Sequence, residues 1–165
     1  MVVSMSEMIK VGMADLKVCP YPNAITTLGL GSCVGIALYD ATAKYGGLAH
    51  VMLPDSTSIR NNVNKAKFAD TGIEELVKLM ERAGASRRRM TAKIAGGAQM
   101  FAFSNTSDMV RVGERNVEAC KKKLAQLGIK IVAQDTGLNY GRTVEFYTET
   151  GMLRIKAVGK PVKEI

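Results

Sequence analysis

The chain has 165 residues and 47% hydrophobic content, enough for one globular domain over 1–165 that buries a core without disulfide or metal staples. Its 23 basic against 15 acidic residues give a net charge of +8, which favours an acidic partner. Aromatic content of 5%, no tryptophan and no recognisable binding motif argue against nucleic acid.

The opening "MVVSMSEMIKVG" lacks the basic and continuous apolar regions of a secretory signal, so a cytoplasmic location is expected. A first strand is predicted over 9–13. The uncharged stretch 18–39 has the length of a membrane span, but prolines, an asparagine and glycines interrupt it. It reads as buried strands and turns, with no membrane insertion. Strands over 34–39 and 47–53 follow, and "DSTSIRNNVNK" from 55 to 65 reads as the main loop and a candidate lid.

Phe68, Ile73, Leu76, Val77, Met80 and Ala83 recur at helical spacing up to Gly84. Arg87, Arg88 and Arg89 then form one basic cluster, and a strand is predicted over 92–95. A second helical stripe, Val117, Cys120, Leu124 and Leu127, ends at Gly128 and carries the basic run of Lys121, Lys122 and Lys123. Strands over 130–133, 143–148 and 153–158 complete the chain, the last two flanking a short hairpin turn. Strands outnumber helices and hairpins are adjacent in sequence, so the expected class is α+β, a mixed or antiparallel sheet core with flanking helices.

Chemistry concentrates in "TTLGLGSCVG", residues 26–35, and "GGLAHVMLP", residues 46–54, which holds the single histidine. Gly29 and Gly31 begin like a dinucleotide-binding loop, but Val34 stands where the third glycine belongs and a strand follows where a helix N-terminus is needed. Three widely spaced cysteines and one histidine match neither a disulfide framework nor a catalytic zinc site. No cofactor is expected.

The plainer account of this stretch is that the glycines shape a turn and Cys33 is a small buried apolar residue. The second is catalytic. Glycines before Cys33 leave backbone amides approachable, the geometry of an oxyanion site at Gly31 and Ser32. A hairpin turning at Ala41 and Thr42 would set Cys33 directly opposite His50, and an imidazole there can take the thiol proton. Cys19 and Cys120 lack such a setting and read as structural.

The sequence resembles the CheD family of chemoreceptor glutamine deamidases. The likeness runs through Thr27-Leu28-Gly29-Leu30-Gly31-Ser32-Cys33, Ala49-His50-Val51-Met52-Leu53-Pro54, and Lys93-Ile94-Ala95-Gly96-Gly97-Ala98. It continues through Gly113, Arg115-Asn116 and Asp135-Thr136-Gly137, with Leu138 where the pattern leads one to expect a second glycine. It implies a cysteine hydrolase fold like that of the cytotoxic necrotizing factor deamidase domain, and a triad of Cys33, His50 and Thr27. It also implies, as partners, the cytoplasmic helical bundle of methyl-accepting chemotaxis receptors, whose glutamines are the substrate, and the CheC phosphatase. Binding of that phosphatase is an alternative, regulatory role.

Overall fold

A computed structural model describes residues 6–100 and 111–165, and these form two five-stranded sheets and two α-helices. The first sheet orders β1 (Met8–Val11), β3 (Ala24–Leu30), β8 (Arg142–Tyr147), β9 (Met152–Lys156) and β10 (Lys163–Glu164). The second orders β2 (Asp15–Pro20), β5 (Tyr45–Val51), β4 (Val34–Asp40), β6 (Thr91–Gly96) and β7 (Lys130–Thr136). β1 with β3 and β6 with β7 are parallel, and the other pairs are antiparallel, so both sheets are mixed. The α+β class expected from the sequence is the one observed.

Alternation along β4 and β5 explains the layering. Val34, Ile36 and Leu38 with Ala49 and Val51 face the helices α1 (Ala69–Arg82) and α2 (Val112–Gln126), whose apolar stripes cover them. Cys33, Ala37 and Leu48 face the other way, into a second apolar core with Ile25, Leu30, Val144 and Phe146 of the first sheet. The second sheet is the wall shared by both cores. Two adjacent glycines in β5 make this close approach possible on opposite faces. A Cβ on Gly46 would lie 2.9 Å from Phe146 Cε1, and one on Gly47 would lie 2.8 Å from Leu76 Cδ1.

Each of the seven strands predicted from the sequence is present, within a few residues at its ends. β3 falls in the stretch 18–39 read as buried strands and turns, though without bounds of its own, whereas most of β2, the two-residue β10 and the division into two sheets were not anticipated. β2 carries Asp15 and Lys17 and ends on Cys-Pro, and β3 contains Gly29 and paired threonines, so neither reads as an alternating apolar strand. Both helices match their stripes, and α2 starts five residues before Val117. The loop after Leu53 is punctuated by 3₁₀ turns at Ser56–Ser58 and Lys65–Lys67.

The β4–β5 hairpin corrects one expectation. Asp40 pairs with Tyr45, not Ala43, so the turn has four residues and the register is shifted by two. The buried Asp40 carboxylate causes this: it accepts hydrogen bonds from the amides of Thr42 at 3.0 Å and Ala43 at 3.1 Å, and Lys44 closes the turn at φ 57°. Gly35 therefore faces His50. Because the slip is an even number of residues, Cys33 stays on the face that carries His50, now diagonal to it rather than opposite.

Candidate active site

His50 is fully buried on β5, with its ring against the first sheet. Its Nδ1 lies 2.7 Å from the hydroxyl oxygen of Thr27 on β3, and that hydroxyl donates to the Val11 carbonyl at 2.8 Å. A threonine has one hydroxyl proton, and Val11 takes it. Thr27 must therefore accept from Nδ1–H, which leaves Nε2 as the unprotonated nitrogen. Nε2 is buried and has no hydrogen-bond partner among the described residues. Thr26 is turned elsewhere, its hydroxyl bonded to the Val144 carbonyl at 2.8 Å.

Cys33 stands at the end of the glycine loop, immediately before β4, so a strand does follow this loop as its composition indicated. The loop is held by its carbonyls. Ala98 donates its amide to Gly31 O at 2.9 Å, and Gly97 donates its amide to Cys33 O at 2.8 Å. Gly96 and Gly97 adopt φ 106° and 67°, and a Cβ on Gly96 would collide with the Cys33 carbonyl. In the sequence these two glycines stand out only as part of the family motif. The signal that could have found them is a Gly-Gly pair directly after a strand, which marks close backbone approach.

Gly31 donates its own amide to Gly29 O at 3.1 Å, whereas the amides of Ser32 and Cys33 have no backbone acceptor among the described residues. Cys33 remains 8% exposed, while Cys19 and Cys120 are wholly buried. Burial pushes all three thiols up, Cys19 to about 11, and at Cys33 the residue's own backbone amide partly offsets the rise. Burial also pushes the His50 imidazole below its ordinary value. Both shifts favour a neutral thiol and a neutral imidazole over a thiolate and an imidazolium.

A family model described as CheD chemotactic sensory transduction matches residues 52–157. The chain belongs to the CheD family. It is 68% identical over 161 residues to the probable chemoreceptor glutamine deamidase CheD of Lachnoclostridium phytofermentans, covering 98% of this chain and 100% of that one. The protein of the same description from Caldanaerobacter subterraneus subsp. tengcongensis is 57% identical over 97% of this chain and 99% of its own. The chemoreceptor glutamine deamidase CheD of Halalkalibacterium halodurans is 52% identical over 98% of this chain and 100% of its own. The family match begins two residues after His50, so Thr27, Cys33 and His50 precede it, whereas the likeness to the relatives spans all three.

In this CheD family member, Leu138 adopts φ 60° and is 63% exposed, a backbone conformation that glycine takes at less cost. Each of the two basic clusters contributes a residue to an ion pair. Arg89 pairs with Asp40 at 2.9 Å and Lys123 with Glu74 at 2.9 Å, while Arg87, Arg88 and Lys122 are exposed. No helix among the described residues is long and apolar enough to cross a membrane.

Proposed function

We propose that this chain is a cytoplasmic protein-glutamine deamidase that converts glutamines of methyl-accepting chemoreceptors to glutamate through Cys33, His50 and Thr27. The observation that carries the reading is the chain from Val11 O through the Thr27 hydroxyl to His50 Nδ1, which leaves a buried Nε2, without a partner among the described residues, on the face that bears Cys33. A histidine held in one tautomer by a hydroxyl acceptor is the arrangement a general base requires.

In the first step His50 Nε2 takes the Cys33 proton as the sulfur attacks the side-chain amide carbon. The carbonyl becomes an oxyanion, and the amides of Ser32 and Cys33 donate to it. Gly31, whose amide is engaged with Gly29, contributes the shape of the loop. The imidazolium then gives its proton to the departing nitrogen, ammonia leaves, and a thioester remains. Water, deprotonated by Nε2, attacks the thioester, releasing glutamate and restoring the thiol. A glutamyl methyl ester presents the same carbonyl with a better leaving group, so weak esterase activity belongs to the same apparatus.

The test is mass spectrometry of a chemoreceptor cytoplasmic fragment after incubation with the protein. The expected result is the amide-to-acid mass gain at specific glutamines, lost with Cys33→Ala and with His50→Ala. Unchanged receptor peptides with the wild-type protein would sink the reading.

A second role is docking, supported by the exposed apolar side chains of Leu28, Met100 and Leu138 around the glycine loop. The CheC phosphatase implied by the family resemblance is the partner for that role. Docking needs this surface but not the sulfur, so Cys33→Ala retains phosphatase binding while deamidation disappears.

A further inference from the structure

Asn116 lies in the buried stripe of α2, among Gly113, Val117, Cys120 and Leu124, and is itself fully buried. Its side-chain amide donates to Ser32 O at 2.9 Å and to Met52 O at 3.0 Å. Both partners are carbonyls, which only accept, so the nitrogen of the amide must face them and both its protons are used. The oxygen Oδ1 is buried with no partner among the described residues. A leucine or isoleucine would fill the helix stripe without that cost, so packing does not account for an asparagine here.

What it joins does account for it. Ser32 is the residue before Cys33, and Met52 lies two residues after His50, where the chain leaves β5. The three consecutive carbonyls of Gly31, Ser32 and Cys33 are then all fixed, the outer two by the Ala98 and Gly97 amides and the middle one by Asn116. Asn116 alone of these three also grips the histidine strand. α2 can reach because Gly113, one turn earlier, has no Cβ: one there would meet Gly97 O and Ala98 O.

We infer that Asn116 is a positioning residue that sets the spacing between the Cys33 thiol and the His50 base by tying the backbones beside each of them. The inference rests on the deamidase reading, and Asn116 acts in it without touching substrate. Its loss leaves Cys33 and His50 in place in the chain but unregistered with each other.

The experiment follows iodoacetamide alkylation of Cys33 by peptide mass spectrometry from about pH 5 to about pH 9, the span over which a histidine and a thiol titrate. Cys19 and Cys120 serve as internal references. Wild type, His50→Ala, Asn116→Ala and Asn116→Ser, the last keeping one donor, are compared after urea unfolding shows each to be folded. In the wild type the profile shows a limb that His50→Ala removes. Asn116→Ala is expected to give the His50→Ala profile and to lower kcat on the receptor fragment roughly 10- to 100-fold, with KM within about twofold. Asn116→Ser falls between. A wild-type profile and kcat in Asn116→Ala overturn the inference, as does a wild type without any limb that depends on His50. So does equal acceleration of Cys19 and Cys120, which would mean general loosening. If Asn116→Ala does not fold, a wild-type profile in Asn116→Ser overturns it equally. A protein that shows the coupled profile but never modifies receptor would defeat the deamidase reading and leave the positioning role standing.

Discussion

Thr27 and His50, on strands of different sheets, meet through a 2.7 Å hydrogen bond that closes across the core between them. Because the single hydroxyl proton goes to Val11, the threonine can only accept from the imidazole, so a change at either end is felt at the other.

Replacing Thr27 with valine keeps the shape but removes both hydrogen bonds. His50 then loses its tautomer preference, and kcat for receptor deamidation is expected to fall roughly 10- to 100-fold. The stranded Val11 carbonyl and imidazole should cost about 1–3 kcal/mol in urea unfolding. Thr27→Ser should restore most of both. Equal activity in the valine and serine variants would show that the hydroxyl plays no part.

Stability should depend on pH on both sides of neutrality. Burial lowers the His50 pKa from its ordinary 6.5, so the unfolded chain takes up a proton there first. Stability is whole above that value and is lost as pH falls below it toward the depressed folded value. Burial raises Cys33 from its ordinary 9.0, so its contribution is present below that value and lost as pH rises above it. Urea midpoints measured across pH should lose the acid-side slope near this range in His50→Ala. An identical slope in that variant would assign it to other groups.

Gly84 and Gly96 have nearly the same φ, 105° and 106°, in different surroundings. A Cβ at Gly84 meets nothing within 4 Å, whereas one at Gly96 meets the Cys33 carbonyl. Gly84→Ala should cost about 1–2 kcal/mol of backbone strain and leave deamidation intact. Gly96→Ala should cost more than about 3 kcal/mol and displace the loop that carries Cys33, slowing Cys33 alkylation. Comparable losses at the two positions would mean that the carbonyl contact is without consequence.

Reversing the charges of Arg87, Arg88, Lys121 and Lys122 should change stability by no more than about 0.5 kcal/mol, since the structural pairs are made by Arg89 and Lys123 instead. If the basic surface steers the protein onto an acidic receptor, the same variant should modify receptor more slowly at low salt, with the difference shrinking as salt rises. Equal rates at low salt would remove steering from the account.

Much of this protein was open to reading from its residues in order. The period of the apolar side chains located α1, α2 and seven strands, because one-sided burial imprints itself on spacing. Cys33 and His50 stood out because a lone histidine near a glycine-flanked cysteine has few structural explanations. The hairpin register did not follow, since it turned on how many amides the Asp40 carboxylate would gather, and that choice leaves no trace in hydrophobic pattern. Thr27 could be named only through family likeness. Its strand pairs with β1 and β8, the latter far away in sequence, and nothing local says that its hydroxyl should point across to another sheet. Asn116 stood out only as part of the family likeness, and nothing local says what its amide would join. Local composition determined which elements would form and which side chains could do chemistry. Only long-range packing, which brings β3 and α2 to opposite sides of the β4–β5 hairpin, decided which of them would meet.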